Sequence, residues 1–161
     1  MSTEREGDSV ATSYDRVPYA SWPYANSHPN RLSTIARLMG IEPPRLDQMR
    51  VLELGCASGG NLIPMAEMFP SATFVGIDAS SRQIEQGVER IETLGLENIE
   101  LRTADLETVE SPPTPFDFII THGVYSWVPP SVQKAILRIS HDWLSPNGVA
   151  YISYNTNPGW K

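Results

Sequence analysis

The stretch RVLELGCASGGN, Arg50 to Asn61, decides the fold. An apolar strand runs through one acidic residue, Glu53, into a turn carrying Gly55, Gly59 and Gly60. A strand that ends in glycines lets backbone amides approach a ligand closely. A second apolar run, Thr73 to Asp78 (TFVGID), ends in an acid of the kind that binds the two hydroxyls of a ribose. The pair predicts a nucleoside site.

The turn reads Gly55-x-Ala57-x-x-Gly60, an imperfect version of the dinucleotide pattern Gly-x-Gly-x-x-Gly. Glu53 shifts the choice of ligand. A carboxylate there belongs beside a cationic group, whereas a dinucleotide loop has to receive an anionic pyrophosphate. S-adenosylmethionine carries a sulfonium and an ammonium and no phosphate, so the signs favour it over NAD.

A chain of 161 residues, 40% apolar and 19% charged, reads as one globular domain. No apolar run approaches the ~18 residues of a membrane helix, and MSTEREGDS is no signal peptide, so a cytoplasmic chain without membrane insertion is expected. Cys56 is the single cysteine, which excludes an internal disulfide and a cysteine-rich zinc site. No metal is expected, and Cys56 reads as a small residue packed under a cofactor. The net charge of -7 falls entirely on residues 51–161, because residues 1–50 carry six basic and six acidic side chains. No basic cluster or helix face is present, which argues against a nucleic-acid partner. An acidic surface suits a cationic substrate such as a lysine-rich protein, and it serves solubility equally.

Residues 1–13 are polar and expected to lack order. Tyr14 to Asn30 interleaves aromatics and prolines (Tyr14, Pro18, Tyr19, Trp22, Pro23, Tyr24, His28, Pro29), which predicts a non-helical arm lying on the domain. Leu32, Ile35, Ala36 and Met39 give a short helix that stops at Gly40, and Pro43-Pro44 marks the passage into the core. The expected division is an arm and helix over 1–45 and a core over 46–161. Strands are predicted near 50–55, 73–78, 99–103, 116–121 and 149–154. A helix near 60–69 holds Pro64 in its first turn. Another starts at the capping box Ser80-Ser81-Arg82-Gln83 and ends at Gly95, and a third carries Val132, Ala135, Ile136, Ile139 and Trp143 before a turn at Ser145-Pro146-Asn147-Gly148. Five strands linked by crossovers make a doubly wound, Rossmann-like α/β sheet, with the ligand above the carboxyl ends of the strands. Those ends supply Glu53, Asp78, Asp105 and the segment His122 to Trp127 (HGVYSW). Each acid alone reads equally as a solvated loop carboxylate or a helix cap; their repetition at three strand ends speaks for a site.

These residues resemble class I S-adenosylmethionine-dependent methyltransferases over nearly all of residues 50–155. ELGCASG looks like the family's first motif with Ala57 in place of the usual middle glycine, GIDAS like its ribose motif and TADL like its adenine motif. The resemblance implies that Gly55 and the neighbouring loop contact the methionine part, Asp78 the ribose hydroxyls and Asp105 the adenine amino group. The implied cofactor-binding set is Glu53, Gly55, Ala57, Asn61, Asp78, Ala79, Ala104, Asp105, Leu106 and His122. The strings YDRVPYASWPYANSHPNRL, GGNLIPMA, THGVYSWVPP and SYNTNPGW resemble more narrowly the protein lysine methyltransferases that carry a methyltransferase regulatory domain, a group that includes rickettsial enzymes acting on outer-membrane proteins. That likeness implies a lysine amine of a protein as acceptor. His122, Tyr125 and Trp127 then become the expected catalytic residues, as aromatic walls that favour the neutral amine; plain packing at the sheet's edge is the competing reading for each.

The same family completes its sheet with two further strands after the fifth, one antiparallel, and the narrower group continues into its regulatory domain. Against that pattern the expectation is that residues 1–161 hold the first five strands only, as a fragment, as a truncated reading frame or as a protein that has lost part of the family's architecture. The fifth strand, apolar throughout and suited to cover on both faces, is therefore expected to be an open edge, to drive self-association and to leave methyl transfer weak. Two other readings stay open: a non-catalytic S-adenosylmethionine-binding fragment, and a nicotinamide-dependent oxidoreductase.

Overall fold

The computed structural model describes residues 21–156. Five strands, β1 (Arg50–Leu54), β2 (Thr73–Asp78), β3 (Ile99–Thr103), β4 (Phe116–Thr121) and β5 (Leu144–Ile152), form one parallel sheet in the order β3-β2-β1-β4-β5. The winding reverses between β1 and β4, which opens a crevice at their carboxyl ends. Val51, Leu52, Leu54, Phe118, Ile119 and Ile120 are fully buried, as central strands covered on both faces require.

Alternation along the strands feeds two cores. On one face Val51, Phe74 and Phe118 meet Leu32 of α1 (Pro29–Leu38), Leu62 and Met65 of α2 (Leu62–Met68), and Ile84 and Ile91 of α3 (Ser81–Leu94). On the other, Leu52, Val75 and Ile119 meet Ala135, Ile136 and Ile139 of α4 (Pro130–Asp142) and Trp143. Each such large side chain contributes roughly 1.5–3 kcal/mol by leaving water. Ser80 caps α3 by accepting the Gln83 amide at 3.3 Å, and Gly95 closes it in the left-handed region at φ 64. Pro64 lies in the first turn of α2, where its missing N–H has no partner to lose.

Four expectations need correction. The arm does not run to Asn30: Ala25–Ser27 form a 3-10 turn and Pro29 opens α1 at its first position, a place that suits the fixed φ of proline. The stripe on α1 is also rotated, with Leu32, Ser33 and Ala36 buried while Ile35 and Met39 stay exposed. β5 begins at Leu144, not near 149, because Leu144 pairs with Phe116 and Val149 with Phe118, and the intervening residues form an irregularity opposite Asp117. The Asp117 carboxylate holds that irregularity by accepting Ser145 Oγ at 3.0 Å, while its other oxygen accepts the Arg50 amide at 2.8 Å. Nor is β5 covered on both faces; its side chains are half-buried or exposed, and β4 is its single partner strand among the described residues. The expectations for Tyr14, Pro18, Tyr19 and the end of the SYNTNPGW string lie outside the described residues. Among the described residues no helix is long and apolar enough to cross a membrane.

Candidate functional site

A cavity of ≈ 550 Å³ opens over the carboxyl ends of β1 to β4. The turn after β1 forms its floor. Gly55 adopts φ +75, and a Cβ there would collide with Val124 Cγ2 from the loop after β4, so glycine is required twice over. The Gly55 and Cys56 amides both donate to the Ile77 carbonyl, at 2.8 and 3.1 Å, which ties the turn to β2. Cys56 lines the cavity from a buried position, and burial pushes its thiol well above the usual range, as befits a packing residue and not a nucleophile.

Asp78 finishes the tie. One carboxylate oxygen accepts the Ala57 amide at 2.8 Å and the other the Ser80 amide at 2.9 Å. Two bonds leave a carboxylate with further acceptor capacity, and Asp78 lines the cavity. Ala57 pays for its place in the turn with a left-handed conformation, φ 50, the one such non-glycine residue described.

Glu53 lies in the wall at 3% exposure. Its Oε1 accepts Asn61 Nδ2 at 2.8 Å, while Oε2 is buried without a hydrogen-bond partner among the described residues. Burial pushes the carboxyl up to about 8; the nearby Asp78 charge adds to the rise and the Asn61 bond opposes it. A carboxyl in this condition is completed by a cationic donor, which supplies both a partner for Oε2 and a counter-charge.

Of the remaining expected cofactor residues, Ala79, Ala104, Asp105, Leu106 and His122 all line the same cavity. Asp105 turns back to accept the Glu107 amide at 2.9 Å. Asn61 departs from expectation: it is 1% exposed, is not part of the cavity wall, and reaches the site through Glu53.

The expected catalytic residues divide. His122 lines the cavity, its ring stacked on Tyr24 with centroids 3.8 Å apart and its Nδ1 3.3 Å from the Tyr151 hydroxyl. Burial lowers its pKa, so the imidazole is neutral near pH 7. Trp127 stands at the rim, 59% exposed. Tyr125 is brought elsewhere. It is not in the wall; it packs against the core cluster of Leu52, Ile119 and Ile136, and its carbonyl accepts Gln133 Nε2 at 2.9 Å. The turn after β4 puts His122, Val124 and Trp127 on the cavity and Tyr125 against the core, a division that sequence adjacency to His122 does not reveal.

Gln83, Tyr24 and the apolar Val124, Val128 and Val132 also line the cavity and were not in the expected set. Val132 was legible only as part of a helix stripe, and Val124 only as a member of the segment at the end of the fourth strand. Gln83 carried a signal only as a helix cap. The wall as a whole contains Glu53, Asp78, Asp105 and Glu107 and no lysine or arginine among the described residues.

Residues 51–148 match the methyltransferase domain family. An uncharacterized protein of Rickettsia prowazekii is 50% identical over 148 residues, which cover 92% of this chain and 27% of that protein. A second uncharacterized protein of the same organism is 41% identical over 149 residues, covering 92% of this chain and 60% of its own length. Among solved structures, PKMT2 from Rickettsia typhi in complex with AdoHcy is 40% identical and superposes with a TM-score of 0.85 over 89% of this chain and 28% of that one. The chain thus spans between about a quarter and three-fifths of the length of these relatives. With more than half of its residues matched and the doubly wound sheet in place, the chain belongs to the methyltransferase domain family.

Proposed function

We propose that this chain binds S-adenosylmethionine in the cavity above β1 to β4 and takes part in methyl transfer to an amine, with a protein lysine as acceptor. One observation carries the reading: among the described residues, the buried Oε2 of Glu53 has no hydrogen-bond partner, in a wall with four acids and no lysine or arginine. Such a wall suits a ligand with positive groups and repels a pyrophosphate, which weighs against a nicotinamide dinucleotide. The likeness to PKMT2 in complex with AdoHcy supports both the cofactor and the lysine acceptor.

The residues present fit the cofactor. Glu53 faces its ammonium, Asp78 its ribose hydroxyls, and Ala104, Asp105 and Leu106 its adenine. When bound, the cofactor supplies an electrophilic methyl: the N–C bond forms as the S–C bond breaks, sulfur keeps the electron pair and the amine gives up a proton. The chain's contribution is alignment and dryness. His122, held by Tyr24 and Tyr151, offers a neutral ring nitrogen to an incoming amine, and Trp127 presents a π face at the mouth. An amine with a reference pKa near ~10.4 has to give up its proton before it attacks, and the neutral ring of His122 is a group placed to accept it.

Calorimetry with S-adenosylhomocysteine and with NADH, followed by transfer of a radiolabelled methyl group to a lysine-containing protein, tests the reading. Binding of the first ligand alone and label on lysine are expected. Preference for NADH would overturn the cofactor assignment, and binding without transfer would reduce the chain to a cofactor-binding module.

A further inference from the structure

Asn61 is buried, polar and outside the cavity, yet among the described residues it makes the one hydrogen bond that the Glu53 carboxyl receives. Its own orientation is fixed from the opposite side. The Tyr24 backbone N–H, which can only donate, lies 2.9 Å from Oδ1. Ser27 Oγ donates to the Tyr24 carbonyl at 3.0 Å and is left to accept from Asn61 Nδ2 at 3.2 Å. The two Nδ2 hydrogens are thereby assigned to Ser27 and to Glu53 Oε1, and every polar atom of the amide is satisfied. Turned over by half a rotation, the amide would set an oxygen against the Glu53 carboxylate.

The arm that fixes this orientation also touches the site directly. Ser21 and Tyr24 line the cavity, Tyr24 stacks on His122, and a Cβ on Gly60 would collide with the Ser21 carbonyl oxygen. From this we infer that Asn61 is a positioning residue for the ammonium end of the ligand, and that the Tyr24–Ser27 turn of the arm sets its orientation. The inference rests on the S-adenosylmethionine reading given above. Its physical content is specific. Asn61 engages Oε1 and so leaves Oε2 as the oxygen that meets the ligand's ammonium, while the nucleoside end of the ligand is held by residues that Asn61 does not contact. By reciprocity, occupation of the ammonium position stabilises the docked arm as much as the docked arm improves ligand binding.

The experiment compares two ligands in the chain as it stands. S-adenosylhomocysteine carries the ammonium, and 5′-methylthioadenosine has the same nucleoside without the amino-acid end. Asn61→Ala is expected to weaken the first roughly ten to a hundredfold, the loss of one hydrogen bond to a charged group, and to leave the second within about twofold. Ser27→Ala, which keeps Asn61 and removes one of the groups that orient it, is expected to shift the ratio the same way by about threefold. Equal losses for both ligands in Asn61→Ala would make the residue a general structural support and overturn the inference; so would unchanged binding of S-adenosylhomocysteine. Should Asn61→Ala fail to fold, an unchanged ratio in Ser27→Ala decides against it. A parent protein that binds neither ligand overturns the cofactor reading itself, a result distinct from any loss of the ratio in the variants.

Discussion

The Asp78 carboxylate accepts the Ala57 backbone amide at 2.8 Å, across the gap between the end of β2 and the turn after β1. The residue that faces the ribose in the proposed complex is thus also the one that holds the cofactor turn in shape. Asp78→Ala is expected to weaken S-adenosylhomocysteine binding roughly ten to a hundredfold and to lower stability by about 1–3 kcal/mol, because the Ala57 and Ser80 amides lose their acceptor. Calorimetry and thermal melting measure the two effects. A folded variant with parental affinity would remove Asp78 from the ribose.

Glu53 makes stability and binding depend on pH in opposite senses. Its carboxyl is raised to about 8 in the folded chain and returns to about 4.3 when unfolded, so the unfolded state binds fewer protons between those values. The stabilising contribution is complete below about pH 4.3 and is lost as the pH rises through about 8. Relative to the parent, Glu53→Gln should therefore gain stability as the pH rises from 5 to 8, and melting curves of both proteins over that range check it.

An ammonium placed against Glu53 drives the carboxyl to ionise, so ligand binding near pH 7 should release a proton. Titration calorimetry in phosphate and in Tris, whose ionisation enthalpies differ, will show a buffer-dependent heat for the parent and a smaller dependence for Glu53→Gln. Identical heats in the two buffers would separate Glu53 from the ammonium.

Ala57 occupies a left-handed conformation at φ 50. Replacement by glycine relieves a steric cost of about 1–2 kcal/mol and adds back part of it as unfolded-chain entropy. Ala57→Gly is expected to raise stability by about 0.5–1 kcal/mol with ligand affinity retained. Denaturant titration gives the sign, and a destabilised variant would mean that the alanine methyl group itself is packed.

Trp127 lines the cavity while 59% exposed, and it is not among the residues proposed to hold the nucleoside end. Trp127→Ala should leave S-adenosylhomocysteine affinity within about twofold and reduce methyl transfer to a lysine-containing protein, mainly through KM. A loss of cofactor affinity equal to the loss of transfer would move the indole into the cofactor site.

The strand pattern and the nucleoside motifs were legible because they are local. β2 and β4 fall where apolar runs predict them, since a strand buried in a parallel sheet has to be apolar nearly throughout, while β3, at the sheet's edge, shows instead by the alternation of its buried Ile99 and Leu101 with exposed Glu100 and Arg102. That Gly55, Asp78 and Asp105 line one cavity was legible for a related reason: a doubly wound sheet delivers every strand end to the same edge. β5 and α1 were less legible. The first depends on Asp117 accepting a hydroxyl from a residue 28 positions on, and the second on which side of a short helix meets the sheet.

By itself the sequence determined the fold class, the family's motifs and the sign of charge at the site, because chain periodicity and residue type carry these without reference to distant partners. Tertiary structure alone decided what each polar side chain does. Glu53 became a buried carboxyl with one oxygen lacking a partner among the described residues, Asn61 a buried donor to it outside the cavity wall, and Tyr125 a core residue beside a cavity that it does not line. The reason is physical: hydrogen-bond partners 34 and 37 positions apart, such as Ser27 and Tyr24 with Asn61, leave no periodic trace in the chain and exist only once the sheet has brought the arm against the turn.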